Sequence, residues 1–212
     1  MKREKILEAA EELFAEKSYE GTSIRDIAQK AGINIAMISY YFGSKEKLLE
    51  ALIDYRSSYA GGILEAINKD GVLDPVQKMD RVVDFYVERV LVNHRFHNIM
   101  SRQLSMISEK NLREKMLNIK LQNAETIKKI IQEGQRKKMF RKVDMELTIA
   151  TIIGVISQVA LSKSFYCKIM KAEDMNFDDY VVQIKDRVKT HLKQLIRAHL
   201  DNRNAAGQPA AN

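Results

Sequence analysis

The side chains best suited to chemistry in this sequence lie within residues 22–49, and their chemistry is hydrogen bonding rather than catalysis. Tyr40 and Tyr41 place two aromatic hydroxyls side by side on a segment that carries almost no charge. Residues 27–45 contain no acidic side chain, so the local field favours an anionic partner such as phosphate. Two short helices joined by a tight turn, the second with these properties, are typical of a helix-turn-helix motif whose second helix enters a DNA groove.

The other reactive residue types do not complete a catalytic or metal site. His94 and His97 stand three residues apart, but no cysteine or carboxylate at ligand spacing joins them. His191 and His199 also lack a partner in the pattern, and Cys167 follows two aromatic residues, which predicts a buried, unreactive thiol. No glycine-rich phosphate loop or nucleophile elbow occurs. The sequence therefore predicts neither an enzyme nor a cofactor.

The composition predicts a largely helical protein of the cytoplasm. Of its 212 residues, 45% are hydrophobic, which is enough for a core, and only two are proline. The single cysteine excludes an intramolecular disulfide and suits a reducing compartment. The N-terminus has no signal-peptide hydrophobic region. The longest apolar run, residues 147–161, is shorter than the ~20 residues of a membrane span, so no membrane partner is expected.

Capping residues and apolar spacing predict where the first helices begin and end. Residues 3–17 carry the apolar stripe of an amphipathic helix. Thr22 or Ser23 caps the second helix, and Gly32 ends it in a left-handed conformation. Asn34 caps the third helix, and a fourth helix follows it toward residue 59.

The third helix is expected to present a definite face to the outside. With Ile38 and Phe42 as its buried pair, a rotation of 100° per residue turns the intervening residues outward. The outward set is Ala36, Met37, Ser39 and Tyr40, flanked by Ile35 and Tyr41.

The rest of the chain predicts longer helices separated by polar turns. Asp74 and Pro75 are a strong start signal, a capping carboxylate before a proline in the first helical position. Helices are then predicted over residues 96–107, 109–137, 145–168 and 177–200. Residues 145–168 are apolar nearly all round, which predicts burial on several sides. The prediction is an all-α fold of about nine helices, with domains at residues 1–50 and 51–200 and a disordered tail at 201–212.

One stretch matches a known pattern and reads SIRDIAQKAGINIAMISYYFGSKEKLLEAL. The matching features are its Ile-Ala-x-x-Ala-Gly helix, its Tyr-Tyr-Phe ending of the third helix and its Lys-Glu-x-Leu opening of the fourth. In these features it resembles the N-terminal domain of the tetracycline-repressor (TetR) family of bacterial transcription regulators. It departs from the family pattern at Ser18, where a glycine commonly ends the first helix, at Ile35, where a lysine is frequent, and at Ser39, which replaces a common tyrosine.

The resemblance implies a DNA-binding function for the N-terminal three-helix helix-turn-helix domain. It implies phosphate contacts from Tyr40, Tyr41 and Lys45, and from Ser23 or Thr22 at the start of the second helix. The residues that would approach base edges are Asn34, Ile35, Ala36 and Ser39. A helix with so few polar readers would rely partly on DNA shape.

The resemblance also implies a C-terminal helical bundle for ligand binding and dimerisation. An effector bound there would shift the fourth helix and change the spacing of two recognition helices in a homodimer. Candidate pocket residues are Met79, Tyr86, Arg89, Met100, Gln103, Met106, Met116 and Gln158. Candidate dimer contacts are Ile152, Ile156, Val159, Val181, Ile184, Val188, Leu192 and Leu195. Core packing is the alternative interpretation of both sets.

Two function classes remain open at this stage. The first is a homodimeric repressor that leaves its double-stranded DNA operator when a small-molecule effector binds. The second is an architectural or localisation protein of the same fold that binds DNA without an effector. A co-purified ligand, or release of the operator by a compound, would separate the two.

Overall fold

The computed structural model describes residues 2–99, 110–172 and 175–202, and over these ranges it confirms the all-α prediction. Ten α-helices and one π-helical segment occur in the described residues. They are α1 (Lys2–Lys17), α2 (Ile24–Ala31), α3 (Ile35–Phe42), α4 (Lys45–Lys69), α5 (Pro75–Val87), the π segment (Glu88–Val92), α6 (His94–Asn98), α7 (Lys110–Arg136), α8 (Met145–Leu161), α9 (Lys163–Ile169) and α10 (Phe177–Leu200).

The chain divides into two compact units. The first unit comprises Met1–Gly62 with Asn93–Leu121, and the second comprises Ile63–Val92 with Gln122–Asn212. Residues 93–121 thus group with the N-terminal helices, whereas the sequence alone suggested one boundary near residue 50. Of the tail predicted at 201–212, residues 203–212 lie outside the described ranges.

The first unit is built around the apolar face of α1. Its buried residues Ile6, Ala10 and Phe14 recur at four-residue spacing, so they lie on one side of the helix. The same core contains side chains from α2, α3, α4, α6 and α7. These are Ile27, Ala28, Ile38, Phe42, Leu48, Leu49, Leu52, Ile53, Phe96, Leu112 and Met116.

The second unit has its own core around α5, α7, α8 and α10. Tyr180 is fully buried, and its hydroxyl donates a hydrogen bond to the Val159 carbonyl at 3.0 Å. Burial of a tyrosine of this size is favourable only with such a partner for its hydroxyl. At the end of α7, Gly134 leaves room for the Phe140 ring, which a Cβ at that position would meet at 2.0 Å.

A ladder of ion pairs joins α5 and the π segment to α10. Asp80 pairs with Arg197, Asp84 pairs with Lys193 at 2.7 Å, and Glu88 pairs with Lys189 at 2.5 Å. Both the acids and the bases are spaced four residues apart, so each set lies on one face of its helix. The two helices therefore run antiparallel along this ladder.

Two helices differ from their predicted extent. The predicted helix at 145–168 is broken at Ser162 into α8 and α9, which are bent by 86° relative to each other. Beside the break, the Ser162 hydroxyl accepts a hydrogen bond from the side-chain amide (Nε2) of Gln158 at 3.1 Å. Within one copy of the chain, α8 is buried on one side only, and a side that includes Leu147, Ala150 and Gly154 is exposed.

No single helix within the described residues is long and apolar enough to cross a membrane. Among the described helices, only α8 and α9 taken together reach that length and hydropathy, and these two helices are bent by 86° relative to each other. Within α8, Ile152 and Ile156 are fully buried in the core of the second unit.

Candidate nucleic-acid interface

The turn between α1 and α2 fixes where the helix-turn-helix begins. Ser23 caps α2, because its hydroxyl accepts a hydrogen bond from the Asp26 amide at 3.1 Å while the Asp26 carboxylate accepts one from the Ser23 amide at 3.0 Å. This reciprocal capping box satisfies amide groups that a helix start leaves without partners. The hydrogen bonds from Ser23 hold the pKa of Asp26 below its ordinary value.

Thr22 has a different role from the one predicted. It is 2% exposed, and its hydroxyl donates to the carbonyl oxygens of Leu13 at 3.1 Å and Ser18 at 2.7 Å. A hydroxyl held in this way faces the end of α1 rather than an external phosphate, so the prediction for Thr22 is wrong. Ser18 has a φ of 69°, the left-handed conformation that its position predicts. Of the two candidates at the start of α2, Ser23 is the exposed one, and its hydroxyl donates a hydrogen bond to the Asp26 carboxylate at 2.7 Å.

The turn between α2 and α3 orients the second helix of the motif. Gly32 ends α2 at a φ of 65°, and Asn34 caps α3 by accepting a hydrogen bond from the Ala36 amide at 2.9 Å. The Asn34 amide oxygen is therefore already used by the helix, although its side chain is exposed. Ile38 and Phe42 are buried, as the sequence predicts.

The outer face of α3 is uncharged and well exposed. Tyr40 is 81% exposed and Ile35 is 45% exposed, so this face presents large side chains to solvent close to one another. Ala36, Ser39 and Tyr41 are exposed beside them. The rings of Tyr40 and Tyr41 meet edge to face at a centroid distance of 5.3 Å, and this contact orients both hydroxyls.

Lys45 is engaged inside the first unit. Its ammonium group donates to the carbonyl oxygens of Tyr19 at 3.0 Å and Thr22 at 3.2 Å, and it lies 4.3 Å from the centroid of the Tyr19 ring. These contacts attach the first turn of α4 to the turn that precedes α2. The sequence did not reveal them, because they join residues that are 23 and 26 positions apart.

Two cations at the end of α3 were not among the residues predicted to contact DNA. The guanidinium carbon of Arg3 lies 5.4 Å from the centroid of the Phe42 ring. The Cδ of Lys47 lies 3.8 Å from the position that a Cβ on Gly43 would take. Both side chains are exposed. The charge of the N-terminal residues was visible in the sequence, but their position beside α3 requires the fold.

Ion pairs hold the helices of the first unit together behind this surface. Glu11 of α1 is buried, and its carboxylate accepts hydrogen bonds from Arg56 of α4 at 2.6 and 2.8 Å. Burial raises the pKa of Glu11, and the adjacent guanidinium acts in the opposite direction. Glu12 of α1 pairs with Lys30 of α2 at 2.7 Å. The helix-turn-helix is therefore fixed to α1 by charge as well as by apolar contact.

The structure does not bring the predicted pocket residues together as one set. Met79 and Tyr86 are buried in the core of the second unit, and burial raises the pKa of Tyr86 to about 12. Arg89 is half-buried in the π segment of the same unit. Met116 is buried in the core of the first unit, whereas Gln158 is exposed. Met100, Gln103 and Met106 lie outside the described residues.

A surface cavity of about 160 Å³ in the first unit contains none of the predicted pocket residues. It is lined by Glu46, Lys47, Glu50, Asn111 and Leu112.

The predicted dimer contacts are corrected by the structure. Seven of the eight are at most 9% exposed because they pack in the core of their own unit. These seven are Ile152, Ile156, Val159, Val181, Ile184, Val188 and Leu192. Leu195 is 39% exposed and is the exception. The exposed residues of α8 are others, namely Leu147, Ala150, Thr151, Gly154 and Gln158 after the charged Glu146.

Comparison with known proteins agrees with this architecture. Residues 6–52 match the family model described as bacterial regulatory proteins of the tetR family, and residues 72–161 match the tetracyclin repressor-like C-terminal domain. The probable regulator YttP of Bacillus subtilis is 25% identical over 170 residues, 79% of this chain and 81% of that protein. The repressor NicS of Pseudomonas putida is 30% identical over 148 residues, 66% of each protein.

A solved structure shows the same fold. The regulator FadR from Bacillus subtilis, in complex with stearoyl-CoA, superposes with a TM-score of 0.66 at 21% identity. The superposition covers 92% of this chain and 98% of that one. Three observations lead to one conclusion: two family models match residues 6–52 and 72–161, the helix-turn-helix has an exposed second helix, and the second unit is an all-α bundle. The chain belongs to the TetR family of bacterial transcriptional regulators, which bind DNA, and it is not an enzyme.

Proposed function

We propose that this regulator is a homodimeric repressor that binds an operator of two half-sites through α3 and leaves it when a small molecule binds. The observation that carries the proposal is the outer face of α3, whose large exposed side chains have no role in the core. Ile35, Ala36 and Ser39 would reach base edges, with Ile35 suited to a thymine methyl group. Tyr40, Tyr41 and Ser23 would bind phosphate and hold the helix in register.

A second copy of the chain is the proposed partner of the exposed face of α8. This face has no charge between Leu147, which is 66% exposed, and Gln158. Its small members, including Gly154, would let a neighbouring helix approach closely, and a C2 dimer buries the same face on both copies. Two copies would place two α3 helices on half-sites roughly 34–36 Å apart, or on a multiple of that spacing.

The dimer is tested by introducing a charge at the centre of this face. Thr151→Glu is expected to give a monomer in sedimentation velocity at micromolar protein, because an unpaired carboxylate would be desolvated in the interface. Val72→Glu is the matched control, since Val72 is 93% exposed in the second unit but lies away from α8 in the sequence. A wild-type monomer, or a Thr151→Glu dimer of unchanged stability, would contradict the proposed face.

The effector is proposed to be an amphipathic molecule that acts through α4. This helix is unbroken from Lys45 to Lys69, so it contributes residues to both units and offers a continuous element on which an effector could act. FadR from Bacillus subtilis, a protein of the same fold, was solved with stearoyl-CoA. Stearoyl-CoA is therefore the first compound to test, and it should raise the melting temperature and release the operator. If stearoyl-CoA neither raises the melting temperature nor releases the operator, acyl-CoA compounds of this length are excluded as effectors.

DNA recognition itself is tested by selecting duplexes from a randomised pool with the full chain. The expected product is a pseudo-palindromic sequence, because a two-fold dimer reads two equivalent half-sites. If the chain retains every duplex equally, the repressor proposal fails and a non-specific architectural role replaces it.

A further inference from the structure

The middle of α4 contains two adjacent glycines, Gly61 and Gly62, and this is the only such pair in the sequence. Both residues are helical and neither has a positive φ, so the backbone conformation does not require glycine. A Cβ built on either residue would meet nothing within 4 Å outside the backbone of the helix itself. Glycine in a helix interior is less stable than alanine, because it loses more conformational freedom on folding. The pair therefore weakens α4, and no neighbour in the described part of the chain explains it.

Residues 57–62 also leave α4 without an anchor in either core. Ile53 is fully buried in the core of the first unit, and Leu64 is fully buried in the core of the second. The buried residues between them are small: the Ser57 hydroxyl has no hydrogen-bond partner among the described atoms, and Ala60 belongs to neither core. Within the described ranges, the only side-chain hydrogen bond of this stretch stays inside α4 itself.

The part of α4 that precedes this stretch is held in the first unit. Lys115 of α7 pairs with Glu50 at 2.9 Å and with Asp54 at 2.7 Å. Directly afterwards, Arg56 pairs with the buried Glu11 of α1. Charged side chains thus attach α4 to two other helices up to the residue before the weak stretch.

The part of α4 that follows the glycines is held in the second unit. Lys78 of α5 is buried, and its ammonium group donates to the Asn68 carbonyl oxygen at 2.9 Å and to the Glu133 carboxylate of α7 at 2.8 Å. A cation at this place also interacts favourably with the negative end of the α4 dipole. The last turn of α4 is therefore attached to α5 and to α7.

The boundary between the two compact units falls at the glycine pair. The first unit includes the chain up to Gly62, and the second begins at Ile63. Helix α7 also contributes to both units, but its residues 118–126, around the boundary at 121, contain neither glycine nor proline. Sharp bends in helices occur at proline and at pairs of glycine or serine. Of these two shared helices, α4 is therefore the one with a weak point at the boundary.

We propose that Gly61 and Gly62 are a bend point in α4 and that operator release proceeds through a bend there. This inference rests on the proposed effector-controlled function and adds the place at which the helix deforms. A hinge takes up a large backbone rotation at a few residues. Because the side chains of residues 57–62 form no hydrogen bonds or ion pairs with other described helices, α4 can bend there while the ion pairs on both sides stay intact.

Close approach of another helix is the alternative reason for glycine inside a helix. The two reasons have opposite consequences for stability. A methyl group added at a close contact destabilises the fold, whereas a methyl group added at a bend point stabilises the helix. The melting temperature of alanine variants therefore separates the two.

The test compares the double variant Gly61→Ala/Gly62→Ala with Asn118→Ala. Asn118 is exposed on α7, so its replacement is a matched control that adds helix propensity without changing α4. Each glycine replacement should raise the melting temperature by about 2–4 °C. In wild-type hydrogen exchange, the amides of residues 61–66 should exchange faster than those of residues 48–56. The double variant should slow the exchange of residues 61–66 by about tenfold, and Asn118→Ala should leave it unchanged.

The role in release is measured by fluorescence anisotropy with the selected duplex and increasing stearoyl-CoA. Alanine disfavours whichever of the two states, bound or released, has the bent helix. The concentration of stearoyl-CoA that releases half of the duplex should therefore shift by about tenfold in the double variant and stay unchanged in Asn118→Ala.

A lower melting temperature for the double variant would overturn the bend point, and so would wild-type amides of residues 61–66 that exchange no faster than those of residues 48–56. Equal half-release concentrations for the double variant and the wild type would overturn the role in release. A wild type that binds no duplex, or that stearoyl-CoA does not release, would instead refute the proposed function or its effector. The exchange and melting measurements need neither DNA nor effector, so they decide on the bend point in that case as well.

Discussion

Removing Arg56 should destabilise this protein far more than removing its partner Glu11. The Glu11 side chain is 6% exposed, whereas that of Arg56 is 31% exposed. If Glu11 is neutralised, the guanidinium can turn toward water. If Arg56 is neutralised, a carboxylate is left in the core of the first unit, and breaking a buried pair in this way costs about 3–5 kcal/mol.

The pH dependence sets an upper limit on that cost, because the carboxyl group can take up a proton instead. Its ordinary pKa is 4.5, so protonation at about pH 7.5 costs three units of about 1.36 kcal/mol, or about 4 kcal/mol. Burial already raises the pKa of Glu11 in the wild type, and loss of the guanidinium raises it further. The extra destabilisation is therefore complete above the variant's pKa, declines as the pH falls below that pKa, and is gone below the ordinary pKa of 4.5. Near pH 5 it should be below about 1 kcal/mol.

The assay is urea unfolding of three variants at several pH values. Arg56→Met keeps much of the side-chain stem and should lose about 3–4 kcal/mol near pH 7.5. Glu11→Gln should lose about 1 kcal/mol or less, because its carbonyl oxygen can still accept a hydrogen bond from Arg56. The double variant should recover most of the loss of Arg56→Met. Equal losses for the two single variants, or a loss for Arg56→Met that does not vary with pH, would refute this reasoning.

Four further predictions concern single positions. Ala36→Asp should abolish DNA binding in anisotropy, since it puts a carboxylate on the proposed DNA face, whereas Tyr40→Phe should weaken binding to all duplexes alike. Thr22→Val should cost about 1 kcal/mol in urea unfolding, yet leave the salt dependence of DNA binding unchanged, because its hydroxyl donates within the fold. Gly134→Ala should cost about 1–3 kcal/mol, since its Cβ would overlap the Phe140 ring; an unchanged melting temperature would mean that the ring moves aside.

Features that depend on neighbouring residues in the sequence were predictable. The Ser23 and Asp74 caps, the left-handed Gly32 and the buried pair of α3 follow from local hydrogen bonding and from 100° per residue, and all are present. The α3 surface was therefore identified without tertiary information. Its role as the DNA-reading surface stays a prediction.

Features that depend on which faces meet were not predictable. Thr22 and Lys45 have residue types suited to phosphate, but the fold turns both toward main-chain carbonyl oxygens. Helix α8 is apolar nearly all round, so its periodicity cannot distinguish the face that packs in the core from the one left exposed. Seven of the eight predicted dimer residues consequently proved to lie in the core of their own unit, and the contact of Arg3 with Phe42 was missed.

The ion pairs that join α5 and the π segment to α10 do not by themselves fix the register of α10, that is, its position along the axis of α5. The bases continue to Lys185, which lies 3.5 Å from Glu88. If α10 slid by one turn, about 5.4 Å, every acid would meet the next base along, and Lys185 would take the last place. Each of the three acids would have a basic partner before and after such a slide.

Selection of one register must therefore come from contacts that a slide would break. The Tyr180 hydroxyl reaches one particular carbonyl oxygen, and the Arg141 amide donates to the Leu200 carbonyl at 3.0 Å. The ion pairs are thus compatible with more than one position of α10 along α5. The hydrogen bonds of the Tyr180 hydroxyl and the Arg141 amide are compatible with only one. Tyr180→Phe removes one of these hydrogen bonds and keeps all the ion pairs. An alternative register of α10 would therefore first become populated in a variant of this kind.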